Sequence, residues 1–146
     1  MKQIRDIMST DCVTVTLQDN LYEIAVKMKM NDIGFIPVVE GDKLIGVVTD
    51  RDLVIRGYAE KHSGSTAVKE VMSTDITTIT PETSVDEAAK LMAQNKIRRL
   101  PVVDNGKLVG VVAIADLAVR EIFVNEAGMA LSDISENVDH MASSNH

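Results

Sequence analysis

The chain contains the same sequence twice. Met8-Ser9-Thr10-Asp11 returns as Met72-Ser73-Thr74-Asp75, and Pro37-Val38-Val39 returns as Pro101-Val102-Val103. Lys43-Leu44-Ile45-Gly46-Val47-Val48 returns as Lys107-Leu108-Val109-Gly110-Val111-Val112. Each match lies 64 positions further on (72 − 8 in the first case), so the copies align without insertion or deletion. Such a duplication predicts two units of like fold about a pseudo-two-fold axis. Two copies are too few for a solenoid, and packing the two sheets together is the simpler way to bury their apolar faces. Any site on one unit then has a counterpart on the other, and the differences between the copies become informative.

Within each copy the order of elements is legible. Cys12–Thr16 and Ile76–Thr80 are β-branched runs that predict strands. Asn20-x-x-Glu23 and Ser84-x-x-Glu87 have the spacing of a capping box, in which side chains satisfy the first unpaired helix amides. Apolar residues then recur at helical spacing: Leu21, Ile24, Ala25 and Met28 in copy one, and Val85, Ala88, Ala89 and Met92 in copy two. Two nearly all-apolar runs follow each helix, consistent with strands covered on both faces. They flank Glu40-Gly41-Asp42-Lys43 and Asp104-Asn105-Gly106-Lys107, which supply the positive φ angles of a tight hairpin. A second helix is expected over Arg51 to about Ala59, and over Ala115 to about Val124.

Each unit therefore reads βαββα, an α+β fold, with residues 1–62 as the first repeat and 63–124 as the second. The polar stretch Glu60–Thr66 serves as linker. Residues 125–146 have no counterpart in the other copy; Glu126–Ile134 could form a short helix, and Ser135–His146 reads as a frayed tail.

Composition narrows the function. The net charge is −7, without the basic footprint of a nucleic-acid binder. Cys12 is the single cysteine, and His62, His140 and His146 show no metal-binding spacing. The N-terminal Met1-Lys2-Gln3-Ile4-Arg5-Asp6 lacks the apolar region of a signal peptide. The mostly apolar run Leu108–Val119 is too short to span a bilayer. A cytoplasmic location without membrane contact is expected. Aromatics are only 3% of residues, so Val, Ile, Leu and Met must fill the interior.

Thr49-Asp50-Arg51-Asp52 carries the densest chemistry, at the junction of a strand and a helix. Such junctions point backbone amides outward. The hydroxyl and carboxylates could hold the vicinal diol of a ribose, and Arg51 a phosphate. Thr49-x-x-Asp52 is equally a capping box, and both readings stay open. In copy two the matching stretch is Ala113-Ile114-Ala115-Asp116; Ala113 cannot complete the box, yet the aspartate is kept. Arg98-Arg99 stands where copy one has Gly34-Phe35, as a solvated edge or as a source of positive charge for a polyanion. No nucleophile–base pair, metal cluster or P-loop is evident, which favours a non-catalytic protein.

The order, spacing and duplication of these motifs resemble a tandem CBS-domain pair, or Bateman module. The residues carrying the likeness are the Met-Ser-Thr-Asp openings, Asn31–Val39 and Asn95–Val103, Gly46–Asp52, and Gly110–Asp116. The chain looks closest to small stand-alone bacterial members. The resemblance implies a regulatory module that binds adenosine-containing ligands (AMP, ADP, ATP or S-adenosylmethionine) in clefts between the repeats and requires no cofactor or metal. It implies ribose contacts from Thr49 and Asp52 in one cleft and from Asp116 in the other. The base would lie against Thr14, Val15, Phe35, Ile36 and Pro37, and against Thr78, Ile79, Leu100 and Pro101. Arg51, Arg98 and Arg99 would face phosphates. Phe35 could equally be core. The family has Ser or Thr where this chain has Ala113, so the Thr49/Asp52 cleft is expected to be the tighter. A homodimer forming a four-repeat disc and an unidentified protein partner complete the picture. The alternative is a structural dimerisation module with vestigial clefts.

Overall fold

A computed structural model describes residues 2–118. The expected helices Glu126–Ile134 and beyond Ala118, and the tail Ser135–His146, lie outside the described residues. The order of elements is α1 (Leu21–Asn31), β1 (Phe35–Glu40), β2 (Lys43–Thr49), α2 (Asp50–Asp52), α3 (Val85–Asn95), β3 (Arg99–Asp104), β4 (Lys107–Ala113) and α4 (Ile114–Ala118). Helical single turns at Ile4–Asp6 and Val68–Glu70 precede each copy, and Leu53–Tyr58 continues α2 as a π-helical stretch. The fold is α+β.

The chain forms two compact units. One consists of Asp11–Thr77 with Asn105–Leu108; the other, among the described residues, of 2–10, Thr78–Asp104 and 109–118. We call them the copy-one and copy-two units. The opening turn of each sequence copy thus lies in the unit built from the other copy's helix and strands. Ile4 and Ile7 are buried with Val85, Met92, Leu100 and Leu117, whereas Val68 and Val71 are buried with Leu21, Ile24, Ile36 and Val48. Met-Ser explains how the opening is held. Ser73 exchanges backbone hydrogen bonds of 2.8 and 2.9 Å with Val47, and Ser9 exchanges two of 2.9 Å with Val111. The preceding methionine lies over a strand glycine: a Cβ on Gly46 would stand 2.8 Å from Met72 Sδ, and one on Gly110 2.8 Å from Met8 Sδ. Only a residue without a side chain allows that approach.

Both first helices start as their sequences predict. The Asn20 side chain accepts the Glu23 amide at 2.9 Å, and Glu23 accepts the Asn20 amide at 3.0 Å. Ser84 accepts the Glu87 amide at 3.1 Å without the reciprocal half of the box. The buried face matches expectation in copy two. In copy one Ala25 is exposed, and only Leu21, Ile24 and Met28 face the core.

β1 and β2 pair antiparallel from Phe35↔Thr49 to Glu40↔Lys43, with a bulge between Val38 and Val39. β3 and β4 are hydrogen-bonded neighbours. The second turn has positive φ at both Asn105 and Gly106, as a type I′ hairpin requires; the first has it at Gly41 alone. Within the copy-one unit, the Leu44 amide donates to the Gly106 carbonyl and the Leu108 amide to that of Asp42.

The opening strands are shorter than the β-branched runs suggest. Each makes a single parallel bridge, Val15↔Val38 and Ile79↔Val102. The reason is proline. Val15 N–H donates to Pro37 O at 3.1 Å and Val15 O accepts from Val39 N–H at 2.8 Å. Extending the ladder back by one step would require an N–H from Pro37, which has none. Pro101 imposes the same limit beside Ile79. On the other side the chain turns at once, with Thr16 N–H donating to the Asp19 carboxylate at 2.8 Å and Thr80 N–H to Thr83 Oγ1 at 3.0 Å.

Candidate functional site

In the copy-one unit the end of β2 and the start of α2 are locked together by the capping box. Thr49 Oγ1 accepts the Asp52 amide at 3.1 Å, and Asp52 Oδ2 accepts the Thr49 amide at 2.9 Å. The capping reading of this motif is therefore realised. It leaves Asp52 Oδ1 without a hydrogen bond among the described residues, on a half-buried side chain. Capping and ligand binding are compatible, because one oxygen holds the helix start and the other remains to accept.

The copy-two unit shows what survives without the hydroxyl. Asp116 Oδ2 accepts the Ala113 amide at 2.8 Å, the same bond that Asp52 makes to Thr49. Ala113 returns nothing to the Asp116 amide. The carboxylate is thus presented alike in both units, and only the copy-one unit adds a hydroxyl.

The remaining expected residues divide by burial. Val15, Ile36 and Pro37, like Ile79, Leu100 and Pro101, are buried in their cores, which leaves their backbone as the part that could meet a ligand. Thr14 and Phe35 are half-buried, and Phe35 is paired with Thr49 in the hairpin. Thr78, Arg51, Arg98 and Arg99 are exposed. Each unit brings its own set together along one strand: Val15 bonds to Pro37 and Val39, and Asp50 N–H donates to Gly34 O at 3.0 Å. In the other unit Ile79 bonds to Pro101 and Val103, and Ile114 N–H donates to Arg98 O at 2.8 Å.

Lys27 joins the copy-one site unannounced, beside Asp50, one of the two carboxylates the sequence offered there. Lys27 Nζ donates to the Thr14 carbonyl at 2.8 Å. The Asp50 carboxylate lies over Gly34, where a Cβ would stand 2.7 Å from Asp50 Oδ2. The signal for Lys27 was the comparison of copies, since Leu91 replaces it, as Ile114 replaces Asp50. Cys12 is half-buried rather than fully enclosed; burial raises its thiol above the ordinary range, and the Asp11 carboxylate raises it further. Among the described residues no group of three or more His, Cys, Asp or Glu could hold a metal ion, and no helix is long and apolar enough to cross a membrane.

An apolar groove of about 220 Å³ lies elsewhere in the copy-one unit, lined by Leu21, Tyr22, Ala25, Leu53, Tyr58, His62, Ser63 and Gly64. It shares no residue with the strand-to-helix site. Beside it runs an exposed apolar face. Tyr22 is 68%, Met30 75% and Tyr58 84% exposed, and Val26, Val54 and Ile55 are exposed as well.

A duplicated unit with paired strands, a capped aspartate after the last strand and a Met-Ser clasp defines a class, and the family comparison agrees. The CBS domain model matches residues 4–57 and again 68–121, and the chain belongs to the CBS-domain family. Among relatives, CBS domain-containing protein YhcV of Bacillus subtilis is 44% identical over 96% of this chain and 100% of its own length. The inosine-5'-monophosphate dehydrogenase of Korarchaeum cryptofilum is 38% identical over 83% of this chain, but over only 25% of the enzyme. Among solved structures, the CBS domain pair of protein MJ0100, in complex with 5'-methylthioadenosine and S-adenosyl-L-methionine, aligns with a TM-score of 0.71. That match has 25% identity and covers 81% of this chain and 94% of the other.

Proposed function

We propose that this protein is a non-catalytic regulatory module that binds an adenosine-containing ligand, of the AMP, ADP, ATP or S-adenosylmethionine kind, at its strand-to-helix sites. The observation that carries this is the pair of aspartates, Asp52 and Asp116, each anchored through one oxygen by the same backbone amide. A ribose diol donates to the remaining oxygen. In the copy-one unit Thr49, Arg51 and the backbone of Val15, Ile36 and Pro37 complete the site, with Thr14 and Phe35 at its edge. In the copy-two unit Thr78, Ile79, Arg98, Arg99, Leu100 and Pro101 do so. The MJ0100 pair, solved with two adenosine derivatives, supports this ligand class. The dehydrogenase match, confined to a quarter of that enzyme, supports a module separable from catalysis. Binding signals by linkage: a ligand that prefers one packing of the chain alters affinity for whatever partner recognises that packing.

The exposed face of Tyr22, Val26, Met30, Val54, Ile55 and Tyr58 supports assembly into a homodimer. The single cysteine supports a reducing cytoplasmic setting. Thermal denaturation with adenosine tests the reading. At a hundredfold excess over Kd the ligand adds about 2.7 kcal/mol, which for a chain of this size moves Tm by roughly 5–10 °C. An unchanged Tm with adenosine, AMP, ATP and S-adenosylmethionine overturns it. The second reading, a structural dimerisation module, is favoured by the engagement of Thr49 and Asp52 in capping and would be left standing by that result.

A further inference from the structure

The two sites differ in charge at one matched pair of positions. In the copy-one unit Gly34 accepts the amide of Asp50, and the Asp50 carboxylate folds over the glycine. In the copy-two unit the same backbone hydrogen bond joins Arg98 to Ile114, so an exposed guanidinium side chain belongs to the position where copy one has none. Gly34 and Asp50 are a matched pair, because any Cβ at residue 34 would meet that carboxylate. Arg98 and Ile114 are their counterpart, with the acid removed and a base added.

Neighbouring positions deepen the difference. In sequence the copy-one set holds Asp32, Asp50 and Asp52 against Lys27 and Arg51. Their counterparts are Lys96, Ile114, Asp116, Leu91 and Ala115, joined by Arg98 and Arg99. One set holds three acids and two bases; the other holds one acid and three bases. One of the three N–H donors of Lys27 is already committed to the Thr14 carbonyl.

We propose that the two sites divide adenosine derivatives by charge: the copy-two site takes phosphorylated forms, and the copy-one site takes uncharged or cationic ones such as the nucleoside or its sulfonium derivatives. This rests on the proposed function and deepens it. The ribose is held by a carboxylate in both units, and by the Thr49 hydroxyl in the copy-one unit alone, so an uncharged nucleoside binds better there. A 5'-phosphate reverses the order, because Arg98 and Arg99 can pair with it bidentately whereas Asp50 repels it. The ranking of the two sites therefore crosses over with ligand charge.

Calorimetry of the full chain and of the Asp52→Ala and Asp116→Ala variants, with adenosine, AMP, ATP and S-adenosylmethionine, tests this. Asp52→Ala is expected to weaken adenosine and S-adenosylmethionine more than Asp116→Ala does, and Asp116→Ala to weaken AMP and ATP more, by about tenfold. The same variant being the weaker for every ligand overturns the division. The exposed positions supply a second measurement, in case either aspartate variant unfolds. Arg98→Gln is expected to lower the ratio of AMP to adenosine affinity about tenfold, and Asp50→Asn to raise it severalfold. Unchanged ratios in both overturn the proposal while leaving the adenosine reading intact. If the wild-type chain binds none of the four compounds, the adenosine reading itself fails and the division falls with it.

Discussion

The two units share their scaffold and differ in what they present. The clasp of Met-Ser over a strand glycine, the anchored aspartate and the buried helix face recur, because each is set by backbone approach or by packing that tolerates little change. Away from those constraints the copies separate. The α1 stripe Tyr22, Val26 and Met30 is apolar and exposed, whereas its α3 counterpart is Asp86, Lys90 and Gln94, with Lys90 and Asp86 ion-paired at 3.3 Å. The site differs in the same way, Gly34 and Asp50 against Arg98 and Ile114. The copies agree in what holds the fold and differ where a side chain meets solvent.

The equality of the scaffolds can be broken first. Ile36 and Leu100 are matched positions, each wholly buried. Truncating either to Ala is expected to cost about 2–5 kcal/mol in urea denaturation. A loss at only one of them would show that one unit alone sustains the fold. The clasps come next. Gly46→Ala and Gly110→Ala are each expected to cost about 1–3 kcal/mol by forcing the opening segment away. Gly110→Ala is the worse, because its Cβ would lie 2.9 Å from the Ser9 carbonyl oxygen, against 3.1 Å from that of Ser73 for Gly46→Ala.

The helix start sharpens the comparison at smaller scale. Thr49→Ala is expected to lose about 1 kcal/mol of stability, and Ala113→Thr to gain a similar amount by completing the box. Equal melts for all three proteins would mean that the Asp–amide bond alone secures each junction. Transplanting the copy-two surface, Tyr22→Asp with Val26→Lys, is expected to leave Tm within about 2 °C, since both residues are exposed. If the proposed homodimer forms through this face, sedimentation should then show a monomer, and a dimer that persists excludes the face. The smallest effect concerns Cys12. Its raised pKa leaves a smaller thiolate fraction than a free thiol has at the same alkaline pH, so alkylation should be slower. Because the folded value lies above the unfolded one, any stability from this group is complete below the unfolded pKa and is lost only as alkaline pH passes the folded one.

Much of this was readable in advance, for local reasons. The helix starts at Asn20 and Ser84, the turns at Gly41 and Asn105-Gly106, and the repeat itself depend on neighbours a few residues away. Less legible were features that join distant segments. The β-branched runs at Cys12–Thr16 and Ile76–Thr80 have strand composition, yet Pro37 and Pro101 on the facing strands limit each to one bridge. Ala25 fits the helical period and is nonetheless exposed. The Thr49 motif favoured capping over binding on its own, and the structure realises the first while leaving an oxygen for the second.

From residue order alone follow the duplication, the α+β class, the family likeness and the aspartate that follows each final strand, because these are written in spacing that no folding partner can alter. Folding settled the rest. It placed Ile4 and Ile7 in the core of the other copy, set Met72 and Met8 against Gly46 and Gly110, and laid Asp50 over Gly34. Those contacts join residues tens of positions apart or depend on which face a strand buries. They arise only when apolar burial of the whole chain selects one packing from many that local preference would allow.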